Sequence, residues 1–119
     1  MANSNHTSNI NIIDELDVYH NIINTNNKCV IKFTGSGCPP CKQIQPIYEQ
    51  CSINERYHNK VHFLEVDVDI GEEISDLEDI SSLPTFVYYH NGQRINEYTI
   101  CGAFSSKLIA NLDALANRT

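Results

Sequence analysis

The apolar and polar positions of the chain alternate between short β-like runs and stretches of helical spacing. Ile10, Ile12 and Ile13 predict a short first strand. Asp14 or Asn11 then offers a cap for a helix in which Leu16, Tyr19, Ile22 and Ile23 recur on one face. After the polar break from Asn24 to Asn27, Cys29 to Thr34 is almost wholly apolar, as a strand covered on both faces requires, with Lys32 as its exception. A second helix is expected over Lys42 to Tyr57. Its inner stripe is Ile44, Ile47, Tyr48 and Cys51, and Pro46 inside it should bend the axis.

Val61 to Val68 alternates as a strand does. Val61, Phe63 and either Glu65 or Asp67 fall on one face; His62, Leu64, Val66 and Val68 fall on the other. A short helix follows around Glu72 to Ile80, then a strand over Leu83 to Tyr89, a hairpin turn at Asn91 and Gly92, and a return strand over Gln93 to Ile100. Ser105 or Ser106 caps a last helix whose Leu108, Ile109, Leu112 and Leu115 face inward. The order β-α-β-α-β-α-β-β-α needs parallel crossovers first and an antiparallel hairpin last. The expected class is therefore α/β, with a mixed central sheet and helices on both faces.

Composition narrows this picture. A chain of 119 residues accommodates one domain with a real core. Residues 1–9, rich in Asn, Ser and Thr, read as a flexible tail before a domain over residues 10–119. A net charge of −7 with eight basic residues excludes a general nucleic-acid footprint and disfavours an anionic membrane surface. No apolar run is long enough to span a bilayer, and the first residues lack the cationic start and apolar centre of a secretory signal, so the expected location is cytoplasmic. From Glu65 to Asp79 eight carboxylates occur without a Lys or Arg, read here as a solvated loop and short helix rather than a face for cationic partners.

Five cysteines cannot all pair within one chain, and one close pair with three scattered thiols suits a reducing compartment. Cys29, Cys51 and Cys101 read first as small apolar packing groups. Cys38 and Cys41 form the close pair. Half a zinc site is one meaning of such a pair, but His6, His20, His58, His62 and His90 show no ligand spacing and the other half is missing, so no metal is expected.

The placement of the pair is more informative. Cys38, Pro39, Pro40 and Cys41 stand where the Cys29–Thr34 strand gives way to the second helix. Residues three apart on a helix share a face about 5–6 Å apart, close to what a disulfide needs. The positive end of the helix favours a thiolate there. Prolines suit the first turn because their missing donors would be unpaired anyway. The helix begins at Pro39 or at Pro40, and in either register Cys41 supplies the first backbone N–H within reach of the Cys38 sulfur.

With these residues in place, the chain resembles the thioredoxin family. Cys38, Pro40, Cys41 and Lys42 match the family's active-site run, and Pro46 matches its helix-kinking proline. Leu83, Pro84 and Thr85 match its cis-proline segment, and Gly92 and Gly102 its two later glycines. The resemblance implies a thioredoxin fold and a thiol-disulfide oxidoreductase that reduces protein disulfides without metal or organic cofactor. It assigns Cys38 as nucleophile, Cys41 as resolving thiol, and Leu83, Pro84 and Gly102 to the substrate-docking edge. Electrons would come from a separate reductase or a small thiol, and the protein would act as a monomer.

Three positions depart from the family pattern and mark where the redox behaviour is tuned. Gly37 stands where the family usually has tryptophan, and the chain has none. Pro39, beside Pro40, replaces the usual glycine. Lys32 falls where the family has a buried acid. It is read either as a side chain reaching water or as a cation near the thiols that favours thiolates. A glutathione-dependent relative of the fold is the weaker reading, since no basic cluster accompanies Pro84 and no Gly-Gly pair follows it. A binding module that keeps the fold without turnover is the competing class, separated by whether Cys38 is needed.

Overall fold

The computed structural model describes residues 8–119, so most of the tail expected over residues 1–9 lies outside the described residues. Strand β1 (Ile10–Ile12) leads to helix α1 (Leu16–Thr25), β2 (Lys28–Thr34), α2 (Pro39–Ile53), β3 (His62–Asp67) and α3 (Glu72–Leu77). β4 (Thr85–His90), β5 (Gln93–Arg94), β6 (Ile100–Cys101) and α4 (Ser105–Ala116) complete the chain. The sheet runs β1-β3-β2-β4-β5, with β6 also on β4. β2 is parallel to β3 and antiparallel to β4, which makes the sheet mixed, as the element order requires.

β2 is buried along nearly its whole length because its two faces feed two separate cores. Val30 points into the layer holding Ile44 and Tyr48 of α2, Phe63, Phe86 and Leu108, Leu112 and Leu115 of α4. Cys29, Ile31 and Phe33 point the other way, against Tyr19 and Ile23 of α1, Leu64, Val66 and Ile74 of α3. Alternation in β3 follows the expected faces, Phe63 in the first core and Leu64 and Val66 in the second.

Five details differ from the sequence reading, the first being that the second helix, expected over Lys42 to Tyr57, ends at Ile53 and Tyr57 lies in the turns that follow. The return strand over Gln93 to Ile100 is interrupted: Ile95 turns into the core, Asn96–Tyr98 forms a 3-10 turn, and Tyr98 meets Tyr88 edge-on at 5.7 Å. β5 and β6 therefore each pair with one end of β4. The strand expected from Leu83 begins only at Thr85, after the cis Leu83–Pro84 bond, since proline has no N–H for the ladder. Helices α1 and α4 lack side-chain caps; Glu15 and Phe104 occupy the cap positions instead of Asp14, Asn11 or a serine. Finally Ile109, expected inward, is exposed, because Leu108, Leu112, Leu115 and Ala116 already fill the buried stripe of α4. At the turn after β4, Asn91 and Gly92 both have positive φ, the requirement of the tight hairpin read from their identities.

Candidate active site

The thiols sit where β2 hands over to α2. The chain leaves the sheet at Thr34 and passes through Gly35, Ser36 and Gly37. It enters the helix with Cys38 as the N-cap residue and Pro39 and Pro40 in the first turn. The two registers left open by the prolines resolve to a start at Pro39. Cys38 and Cys41 are joined as a disulfide with their α-carbons 5.3 Å apart. The Cys41 amide donates to Cys38 Sγ at 3.3 Å, so the capping acceptor of α2 is the sulfur itself. Cys38 is half-buried while Cys41 is buried behind it. Cys38 is thus the more open of the two residues, and Cys41 the more enclosed.

Tyr48 fixes α2 over the sheet. Its buried hydroxyl lies 2.7 Å from the Leu64 carbonyl and 3.2 Å from that of Val30, bridging β3 and β2, and its ring packs on Phe63 and Phe86. Pro46 lies inside the helix on its exposed side.

The docking segment expected at Leu83 and Pro84 is a loop entering β4, with Leu83 half-buried and Pro84 buried. The Gly102 amide donates to the Pro84 carbonyl at 2.8 Å, which ties the end of β6 to this loop. Gly37 has φ +70° and open space where a side chain would stand. The position that the family fills with tryptophan is therefore an empty surface in a backbone conformation that suits glycine.

Lys32 does not reach water. It is 1% exposed, and its Nζ donates to the Cys41 carbonyl at 2.9 Å and to Gln45 Oε1. Gln45 in turn donates to Glu65 Oε1 at 3.0 Å and to Glu49 Oε2 at 3.2 Å. Burial pushes the Lys32 amine below its ordinary range, while Glu65 and Glu49 pull it back up. Sequence reasoning found Lys32 but missed Gln45, Glu49 and Glu65 as its partners. The i, i+4, i+8 spacing of Cys41, Gln45 and Glu49 on one helix was the available signal.

The remaining thiols divide. Cys29 and Cys51 are buried, and burial pushes the Cys29 thiol up to about 12 and raises Cys51 as well. Cys101, read first as a packing group, is instead exposed on β6 opposite Thr85. The acidic stretch is mostly solvated, but Glu78 is buried and takes hydrogen bonds from Tyr19, Tyr89 and Arg94. Among the described residues, no cluster of His, Cys, Asp and Glu is arranged to hold a metal ion, and no helix is long and apolar enough to cross a membrane.

Comparison with known proteins agrees with this geometry. The thioredoxin family model matches residues 10–114. A thioredoxin 1 of Plasmodium falciparum is 36% identical over 99 residues, covering 83% of this chain and 90% of that protein. A thioredoxin of Ictalurus punctatus is 47% identical over 70 residues, 59% of this chain and 64% of that one. The crystal structure of a Malassezia sympodialis thioredoxin superposes with a TM-score of 0.85 at 34% identity, covering 92% of each chain. Mitochondrial thioredoxin 3 of Saccharomyces cerevisiae, in its oxidised form, gives 0.81 at 31% identity, covering 89% of this chain and 95% of that one. With a half-exposed and a buried cysteine bonded across the first turn of α2, and relatives of this kind along nearly its whole length, the chain belongs to the thioredoxin family of protein-disulfide oxidoreductases.

Proposed function

We propose that the protein reduces protein disulfides by a cycle in which Cys38 is the nucleophile and Cys41 the resolving thiol. The observation that carries this is the unequal burial of the two sulfur-bearing residues at one helix start, Cys38 half-buried and Cys41 2% exposed. In the reduced protein the Cys38 thiolate, favoured by the α2 N-terminus, attacks a substrate sulfur and displaces the other as a thiolate. Cys41 then attacks Cys38, restoring the intramolecular disulfide and releasing the second substrate sulfur. Substrate backbone docks along Leu83, Pro84 and Gly102, and Lys32, Gly37, Pro39 and Pro40 set the balance between dithiol and disulfide. A separate reductase or a small thiol returns two electrons per cycle. The protein works as a monomer in the cytoplasm, where three further free thiols would survive.

Insulin reduction driven by dithiothreitol tests the cycle. Wild-type protein should accelerate precipitation of the insulin chains, and Cys38→Ser should return the rate to that of dithiothreitol alone. Cys41→Ser should accumulate substrates as mixed disulfides through Cys38. An undiminished rate in Cys38→Ser would overturn the assignment and favour a binding module that keeps the fold.

A further inference from the structure

We propose that Lys32 is the positioning residue of the resolving thiol, holding the first turn of α2 through the Cys41 carbonyl and stabilising the Cys41 thiolate by its charge. The proposal rests on the assignment of Cys41 as the attacking group of the second step. Lys32 is 1% exposed, so its charge acts through protein rather than through screening water. Its Nζ lies 2.9 Å from the carbonyl of the very residue that must ionise. Facing Lys32 are Glu65 from β3 and Glu49 from α2, while β4 places the uncharged Phe86 opposite it. Gln45 accepts from Lys32 and donates to both carboxylates, so its amide stands between the cation and the acids in the hydrogen-bond chain.

Resolution demands a negative sulfur in a buried place. Cys41 loses its proton and its thiolate attacks Cys38 Sγ. The Cys38–Cys41 bond forms as the bond from Cys38 to substrate breaks. The substrate sulfur departs with the electron pair and takes up one proton, so the step is balanced in protons and electrons. Burial alone opposes ionisation of Cys41, and a cation at its carbonyl offsets that cost.

The test follows the Cβ carbon signal of Cys41 against pH in the reduced, cysteine-labelled protein by NMR. Lys32→Met should move the Cys41 midpoint upward by about one pH unit, a tenfold loss of thiolate at neutral pH. Glu65→Gln keeps an acceptor for Gln45 but removes a negative charge, and should move the midpoint downward. Opposed shifts are not produced by loss of packing, whereas an unchanged midpoint in Lys32→Met, or shifts of the same sign, overturns the proposal. Should Lys32→Met fail to fold, Lys32→Gln takes its place, since it also removes the charge while keeping a donor for the Cys41 carbonyl, and an unchanged midpoint there overturns the proposal. The measurement uses no substrate. An active reductase with an unmoved midpoint therefore refutes the role of Lys32, and a shifted midpoint in a protein inactive on insulin refutes only the proposed cycle.

Discussion

The ring of Phe104 lies across the α-carbon of Gly102: a β-carbon there would stand 2.5 Å from Cε2 and 3.1 Å from Cδ2 of that ring. Gly102 also has φ +126°, a region that residues with side chains rarely enter. Its amide holds the Pro84 carbonyl at 2.8 Å, so two independent demands for glycine meet at the edge where substrate backbone is expected.

Gly102→Ala should therefore lower stability by about 1–3 kcal/mol in urea melts. It should also reduce turnover of insulin more than turnover of a small aromatic disulfide, because the docking proposed for the Pro84 edge involves substrate backbone that only the protein substrate has. Adding Phe104→Ala removes the steric clash but not the backbone strain, so the double variant should recover part of the loss. Full recovery would refute the conformational half of the explanation.

The two cores and the thiol site were legible because they are written in local periodicity: the unbroken apolar run of β2, the alternation of β3, and a cysteine pair beside prolines at a helix start. What escaped depended on partners distant in sequence. Ile109 lies at acceptable helical spacing, and only the three-dimensional filling of the α4 stripe sends it outward. Gln93 to Ile100 has strand-like composition, yet Ile95 and Tyr98 find better burial by leaving the ladder. Lys32 was visible as an anomaly, but its alignment with Glu65 is a matter of strand register, which spacing along one strand does not reveal.

Tyr48→Phe tests how much the bridge from α2 to the sheet contributes. The ring would keep its place against Phe63 and Phe86, while the carbonyls of Leu64 and Val30 would each lose the hydroxyl. A loss of about 1–2 kcal/mol is expected in thermal or urea unfolding, with the disulfide cycle retained. A neutral result would mean that packing alone seats the helix.

Glu78 should behave as one unit with Arg94. Glu78 is 4% exposed, accepts from Tyr19 and Tyr89, and takes Arg94 Nη1 both on Oε1 at 3.2 Å and on its own carbonyl at 2.9 Å. Glu78→Leu removes the carboxylate from Arg94, which keeps its bonds to the backbone carbonyl of residue 78 and to Thr99 Oγ1, and leaves the Tyr19 and Tyr89 hydroxyls without their acceptor, so it should cost about 2–4 kcal/mol. Because the two residues share this network, Glu78→Leu with Arg94→Leu should cost about 1–3 kcal/mol less than the sum of the single changes. Strict additivity in the double-mutant cycle would show that the pair is not coupled.

Selective alkylation separates the three free thiols. In the oxidised protein the active-site pair is protected by its own bond, which leaves Cys29, Cys51 and Cys101 to compete for iodoacetamide. Cys29 is fully buried, and its thiol, pushed up to about 12, is ionised in only about one molecule in ten thousand at pH 8. Cys51 is raised by burial first and by the Asp113 charge second. Cys101 alone is exposed. Mass spectrometry of the native oxidised protein at pH 8 should therefore find one label, on Cys101, and two more only after denaturation. Because a raised thiol pKa withholds the reactive form until alkaline pH, labelling of Cys29 should appear on the alkaline side, and rapid native labelling at pH 7 would contradict its burial. Reduction before alkylation should add Cys38 ahead of Cys41, in the order of their exposure.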